Sequence, residues 1–216
     1  MKFENVYFIT GTAYAGKSTM VKMLAEKHGG IECGENYHDA LLPELDKEDF
    51  PCLTYTRDLV DWRDFVVRTP DEYERWVDGV SKECEILELR ILEGIADKGR
   101  PVFVDTNISL ETLGKITDRQ HVLIMLAEPY ISVSRFFDRP DREKQFLYQL
   151  LMAEKEPEKA LENFRKCLMR INSPERNERF ANSGFTVIRR DENRTPAETL
   201  ELVEKAFGLD KEHFSR

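Results

Sequence analysis

Short apolar runs and helical patterns alternate along the chain. Val6-Tyr7-Phe8-Ile9 is β-prone and uninterrupted, which suits a strand buried on both faces, about Val6 to Thr10. Met20, Met23 and Leu24 then recur at helical spacing, and that pattern stops at His28-Gly29-Gly30 with a glycine end signal. A short second strand is predicted near Gly30 to Cys33, and a third at Pro101-Val102-Phe103-Val104-Asp105. His121 to Ala127 makes the fourth and most apolar strand, and Phe185 to Arg189 the fifth. Such alternation predicts an α/β fold, a parallel sheet with helices on both faces.

Two helix starts are explicit. Thr69-Pro70-Asp71-Glu72 is a capping box with proline at the first helical position, and Val80, Cys84, Leu87, Ile91 and Ile95 follow on one face. Thr195-Pro196-Ala197-Glu198 repeats the device ahead of Leu200, Val203 and Phe207. Between strands four and five, Pro157 separates two helices, the second burying Leu161, Phe164, Leu168 and Ile171. Residues 37 to 68 have weak periodicity, several aromatics and many charges, and they stand where a substrate-covering insertion is expected. The 216 residues are read as one domain, with this insertion and a lid over about 135 to 156.

The first strand runs straight into Gly11-Thr12-Ala13-Tyr14-Ala15-Gly16-Lys17-Ser18, which fits G-x-x-x-x-G-K-[ST], the phosphate-binding P-loop. Glycines let the backbone turn successive N–H groups toward a phosphate chain. The loop then delivers the anion to a helix N-terminus, where unpaired N–H groups favour negative charge. Lys17 is expected on the β- and γ-phosphates, Ser18 on Mg²⁺, and Thr19 on the α-phosphate. The expected cofactors are therefore ATP and Mg²⁺. Asp105, at the C-terminal end of the third strand, is the candidate second metal group, and its plainer reading is a solvated strand end.

A further signal is Arg135-Phe136-Phe137-Asp138-Arg139-Pro140-Asp141-Arg142. Arg135, Arg139 and Arg142 could close over transferring phosphates as a cationic lid. The alternative is a charged surface segment paired with its own Asp138, Asp141 and Glu143. Arg176, Arg179 and Arg194 are next in line to supply a cation.

Charged residues are 34% and apolar residues 41%, and no apolar run approaches the ~20 residues of a membrane span. A net charge of −9 argues against general binding along nucleic-acid backbones. Cys33, Cys52, Cys84 and Cys167 are scattered, which disfavours structural zinc and suits a reducing cytoplasm. Met1 to Asn5 enters the first strand directly, so no signal peptide is expected.

Gly11 to Thr19, Val102 to Asp105, the arginine segment and the final strand before Thr195-Pro196 together resemble the small P-loop kinases, the group of the nucleoside monophosphate, shikimate and gluconate kinases. The resemblance implies a three-layer sandwich around a five-stranded parallel sheet in order 2-3-1-4-5. It also implies an acceptor pocket beginning after strand two, an adenine bordered by Asp191 to Thr195, and a nucleotide covered by Arg139 or a neighbour. Glu35 follows strand two and could take the proton of an attacking hydroxyl, or be a solvated loop residue; His38 and Asp39 are further candidates. Arg57 and Arg63 could hold an anionic acceptor.

Departures from the group narrow the reading. Tyr14 stands where many of these kinases have glycine. The Asp-Gly-Phe-Pro, Glu-Arg-Ser and Asp-x-Asp acceptor motifs are absent, so no motif names the acceptor. Asn-Lys-x-Asp and Asp-x-x-Gly are absent too, which disfavours a GTPase switch. The leading expectation is a kinase acting on a nucleotide and a small-molecule acceptor. The alternatives are a P-loop ATPase, a nucleotide-dependent regulatory switch, or a zeta-toxin-like or antibiotic-modifying kinase.

Overall fold

The computed structural model describes residues 3–96, 98–138 and 142–210. Its centre is a five-stranded, wholly parallel sheet in the order β2-β3-β1-β4-β5. The strands are β1 Val6–Gly11, β2 Ile31–Cys33, β3 Val102–Asp105, β4 Val122–Leu126 and β5 Thr186–Arg189. This is the order that the kinase resemblance implies.

Alternation along β1 shows why both sheet faces are covered. Val6 and Phe8 enter a core with Leu92, Val102, Val104, Leu113, Val122 and Ile124. Ile9 faces the opposite core, built from Met20, Val21, Leu24, Phe103, Leu123, Met125, Val203 and Phe207. The helices that supply these residues are α1 Lys17–His28 and α10 Pro196–Phe207 on that second face. The helix preceding β3 and α5 Leu110–Ile116 cover the first. Gly29 ends α1 at φ +62, a left-handed cap whose N–H reaches the Ala25 carbonyl.

The weakly periodic stretch read as an insertion is largely helical. After a 3-10 stretch Tyr37–Glu44 come α2 Pro51–Asp58 and α3 Arg63–Val66, and then α4 Pro70–Ile95. The Thr69 capping box closes with both of its hydrogen bonds and starts 26 residues of helix, about 39 Å long. Of the face predicted for α4, Cys84 and Leu87 are fully enclosed with Leu92, while Val80, Ile91 and Ile95 are half-buried. Glu83 and Glu88 are buried instead, because neighbouring backbone supplies donors for their carboxyl groups. Glu83 accepts from the N–H groups of Cys52 and Leu53 at 2.9 and 2.8 Å, capping α2 from another helix.

Beyond β4 the chain forms α6 Pro129–Ser134, α7 Arg142–Met152, α8 Pro157–Ile171 and α9 Pro174–Ala181. A third core joins this stretch to the insertion. Phe65 meets Trp76 and Tyr73 at ring-centroid distances of 5.0 and 5.8 Å, Tyr73 meets Phe164 at 5.7 Å, and Trp62 meets Phe146 of α7 at 5.5 Å. Edge-to-face pairs of this kind add about 0.5–1.5 kcal/mol each beyond area burial. The segment expected to form a lid is thus anchored at its far end, where Leu151 is fully buried among these rings.

Candidate nucleotide site

Gly11 ends β1 beside Met125 of β4 with φ +130. A β-carbon here would stand 2.0 Å from the Met125 carbonyl oxygen, so glycine alone permits the approach. The next residue is tied to the same strand end. The Thr12 N–H donates to the Met125 carbonyl at 3.0 Å, and Thr12 Oγ1 accepts from the Ala127 N–H at 2.7 Å. Tyr14 has φ +64, a left-handed conformation that costs a residue with a β-carbon about 1–2 kcal/mol. Three contacts hold this part of the loop. Tyr14 donates its hydroxyl proton to the Arg135 carbonyl at 2.9 Å, Arg190 donates to the Tyr14 carbonyl at 2.5 Å, and Ser132 Oγ donates to the Ala13 carbonyl at 3.2 Å. Ala15 is buried against the sheet. Gly16, at φ +92, hands the chain to α1, whose first N–H groups receive no side-chain cap.

Register places the charged groups together. Ile9 of β1 pairs with Asp105, the last residue of β3, so Asp105 stands at the C-terminal sheet edge beside the loop. Ser18 Oγ donates to Asp105 Oδ2 at 2.7 Å. Lys17 Nζ lies 3.8 Å from Asp105 Oδ1 and donates to the Thr12 carbonyl at 3.2 Å. Asp105 is only 5% exposed, and burial raises its carboxyl pKa above the ordinary value. The Lys17 charge and the Ser18 bond pull the other way, while the Glu35 and Glu88 charges add to the rise. A carboxyl group disfavoured in its charged form and touching a hydroxyl suits a hard cation that takes oxygen ligands. No group of three or more His, Cys, Asp or Glu among the described residues could hold a metal ion. Ser18 Oγ and the Asp105 carboxyl group are the adjacent protein oxygens at the loop that could serve a cation of this kind.

A cleft of about 450 Å³ opens beside the loop. Ala13 to Thr19 line one side, apart from the buried Ala15. Glu35 lines the cleft as well, as do Phe136, Lys144, Leu168 and Asn172 from the chain beyond β4. Thr19 and Glu35 are exposed.

The other expected residues are distributed unevenly. Arg135 is 52% exposed, with its guanidinium 3.9 Å from Glu192, and its carbonyl is the group that Tyr14 holds. Arg142 begins α7 in an exposed position, and Lys144, two residues on, lines the cleft together with the loop's own Lys17. Arg139 lies outside the described residues. His38 is 3% exposed and is packed against Cys84 and Glu88, whereas Asp39 is exposed. Arg57 is engaged by Asp58 and by the Leu42 and Leu45 carbonyls, and Arg63 lies 3.7 Å from Glu154. Arg176 pairs with Glu74 and Asp78 beside a small pocket that also touches Gly11 to Ala13. Arg179 is exposed, and Arg194 donates to the Arg189 carbonyl.

Ser132, Lys144, Arg190 and Glu88 were not anticipated. Ser132, Arg190 and Glu88 act through partners distant in sequence, and Lys144 reaches the cleft from α7, so no local spacing announces them. The chain has no significant match among protein-family models, curated proteins or solved structures.

Proposed function

We propose that this chain is a kinase that uses ATP and Mg²⁺ and passes the γ-phosphoryl group to a small-molecule acceptor, such as a nucleotide or sugar acid. One arrangement carries the reading. A loop of the G-x-x-x-x-G-K-S pattern joins a central strand to an uncapped helix, with Ser18 2.7 Å and Lys17 3.8 Å from a buried strand-end carboxyl group.

In this reading the loop N–H groups and the start of α1 take the phosphate oxygens. Lys17 balances charge on the β- and γ-phosphates, and Ser18 and Asp105 would hold Mg²⁺. When bound, Mg²⁺ neutralises charge that builds on the phosphate oxygens. The acceptor hydroxyl oxygen bonds to the γ-phosphorus as the bond to the β–γ bridging oxygen breaks, leaving ADP. Glu35, in the same cleft, takes the hydroxyl proton. Lys144, which lines the cleft, and the expected lid cations Arg135 and Arg139 would stabilise the transferring group.

What favours transfer over simple hydrolysis is the cleft itself, which continues from the loop to Glu35 and an apolar wall of Phe136 and Leu168. The test is ATP turnover by the purified chain with and without a pool of small metabolites. Turnover that rises with the pool and yields a phosphorylated metabolite supports a kinase. Equal turnover in both conditions identifies an ATPase.

A further inference from the structure

Glu88 lies within α4 and is 0% exposed. Removing a carboxyl group from water costs several kcal/mol unless hydrogen bonds replace its hydration. Here the bonds come from two consecutive residues. Thr106 Oγ1 donates at 2.6 Å, the Asn107 N–H at 3.0 Å and Asn107 Nδ2 at 2.9 Å. Thr106 and Asn107 directly follow Asp105. The Thr106 N–H reaches back to the Ile9 carbonyl at 3.0 Å, and Thr106 Oγ1 also accepts from the Ile108 N–H at 3.0 Å. The turn that leaves β3 is therefore wrapped around one carboxyl group.

The opposite side of Glu88 meets the segment that follows Glu35. His38 Nδ1 is 3.3 Å from Glu88 Oε1. Burial, and after it the Glu88 charge, pushes the Tyr37 hydroxyl pKa far up. Glu88 thus touches the chain just after each of the two carboxyl groups assigned to the reaction, yet is itself sealed from the cleft.

We propose that Glu88 is a positioning residue, fixing the turn after Asp105 so that the Asp105 carboxyl group faces Ser18, and thereby setting how strongly Mg²⁺ supports nucleotide binding. The inference rests on the nucleotide reading above. Glu88→Gln keeps the shape but replaces one acceptor oxygen with an NH₂ group facing donors, so at least one bond from Thr106 or Asn107 is lost. Thr106→Val keeps the side-chain volume and removes the hydroxyl that donates to Glu88 and accepts from the Ile108 N–H, so it carries the test if Glu88→Gln does not fold.

The experiment is calorimetric titration of folded parent and variants with a nonhydrolysable ATP analogue, with Mg²⁺ and with EDTA. The parent is expected to bind more tightly with Mg²⁺. The variants are expected to lose about 10–100-fold of that gain while their metal-free affinity stays at the parental value. An unchanged gain in the variants overturns the inference and leaves the nucleotide reading intact. Equal weakening with and without Mg²⁺ also overturns it, since that marks a general packing defect. A parent with no affinity for the analogue removes the nucleotide reading and the inference with it.

Discussion

Gly11→Ala separates the backbone requirement of the loop from its chemistry. The added methyl would stand 2.0 Å from the Met125 carbonyl oxygen and 2.9 Å from the Met125 N and C atoms. All three are backbone atoms of β4, so no rotamer change relieves the clash. The backbone at φ +130 adds about 1–3 kcal/mol for any residue with a β-carbon. Forcing the strands apart adds about 1–3 kcal/mol as overpacking. Loss of the 3.0 Å bond from Thr12 to Met125 adds about 1 kcal/mol. Together these come to roughly 3–7 kcal/mol, a large share of the ~5–15 kcal/mol that holds a domain folded. For a chain of this length that lowers Tm by roughly 6–28 °C. Gly29→Ala is the matched control, because it also has positive φ, +62, but nothing lies within 4 Å of its added carbon. Its loss is expected near 1–2 kcal/mol. Thermal unfolding followed by circular dichroism reads both variants. A Gly11→Ala midpoint within about 2 °C of the parent, or no lower than that of Gly29→Ala, would refute the close approach of β1 to β4.

Asp105→Asn should move stability and function in opposite directions. Burial raises the folded-state pKa of Asp105 above its unfolded value, so its stabilising contribution is complete at acid pH and is lost as pH rises through the raised value. The variant should therefore melt above the nucleotide-free parent near neutral pH, with the gap closing at or below the ordinary carboxylate pKa; a lower neutral-pH melting point contradicts the assignment. Its Mg²⁺-supported activity should fall about 10–100-fold, the loss expected for a charged interaction of about 1.5–3 kcal/mol. Glu83→Ala strands the Cys52 and Leu53 N–H groups at the start of α2 and should cost about 2–4 kcal/mol. Denaturant unfolding checks this, and a midpoint equal to the parental one would show that α2 does not depend on the carboxyl cap.

The sheet was legible because its information is local. Each strand is a short apolar run, and the Thr69 and Thr195 boxes start helices with contacts three residues apart. The Gly-rich loop was legible for the same reason. The insertion was not, since α2 and α3 are short and their aromatics pack against α4, α7 and α8 rather than along one periodic stripe. Ser173-Pro174 carries the same cap-then-proline signal as the longer helices, but the eight residues of α9 are too polar to show a buried face. Glu88 reads in sequence as a charged position on an amphipathic helix. Only the turn 18 and 19 residues further on explains its burial. Tyr14 likewise reads as a departure from glycine, and its left-handed backbone is held by residues 121 and 176 positions away.

The central claim is that Lys17 and its loop bind the phosphates of a nucleotide whose terminal phosphoryl group is transferred. The direct measurement supplies γ-labelled ATP, Mg²⁺ and a metabolite pool to the parent and to Lys17→Ala, and follows label in the products. Lys17 is half-buried at the loop, and its ammonium group meets the Thr12 carbonyl and Asp105 among the described residues, so its loss opens no core cavity and the variant should fold. The parent is expected to label a small acceptor, with transfer by folded Lys17→Ala reduced by about 100-fold or more, the scale of losing one group that stabilises charge in the transition state. Equal labelling by parent and variant would contradict the account.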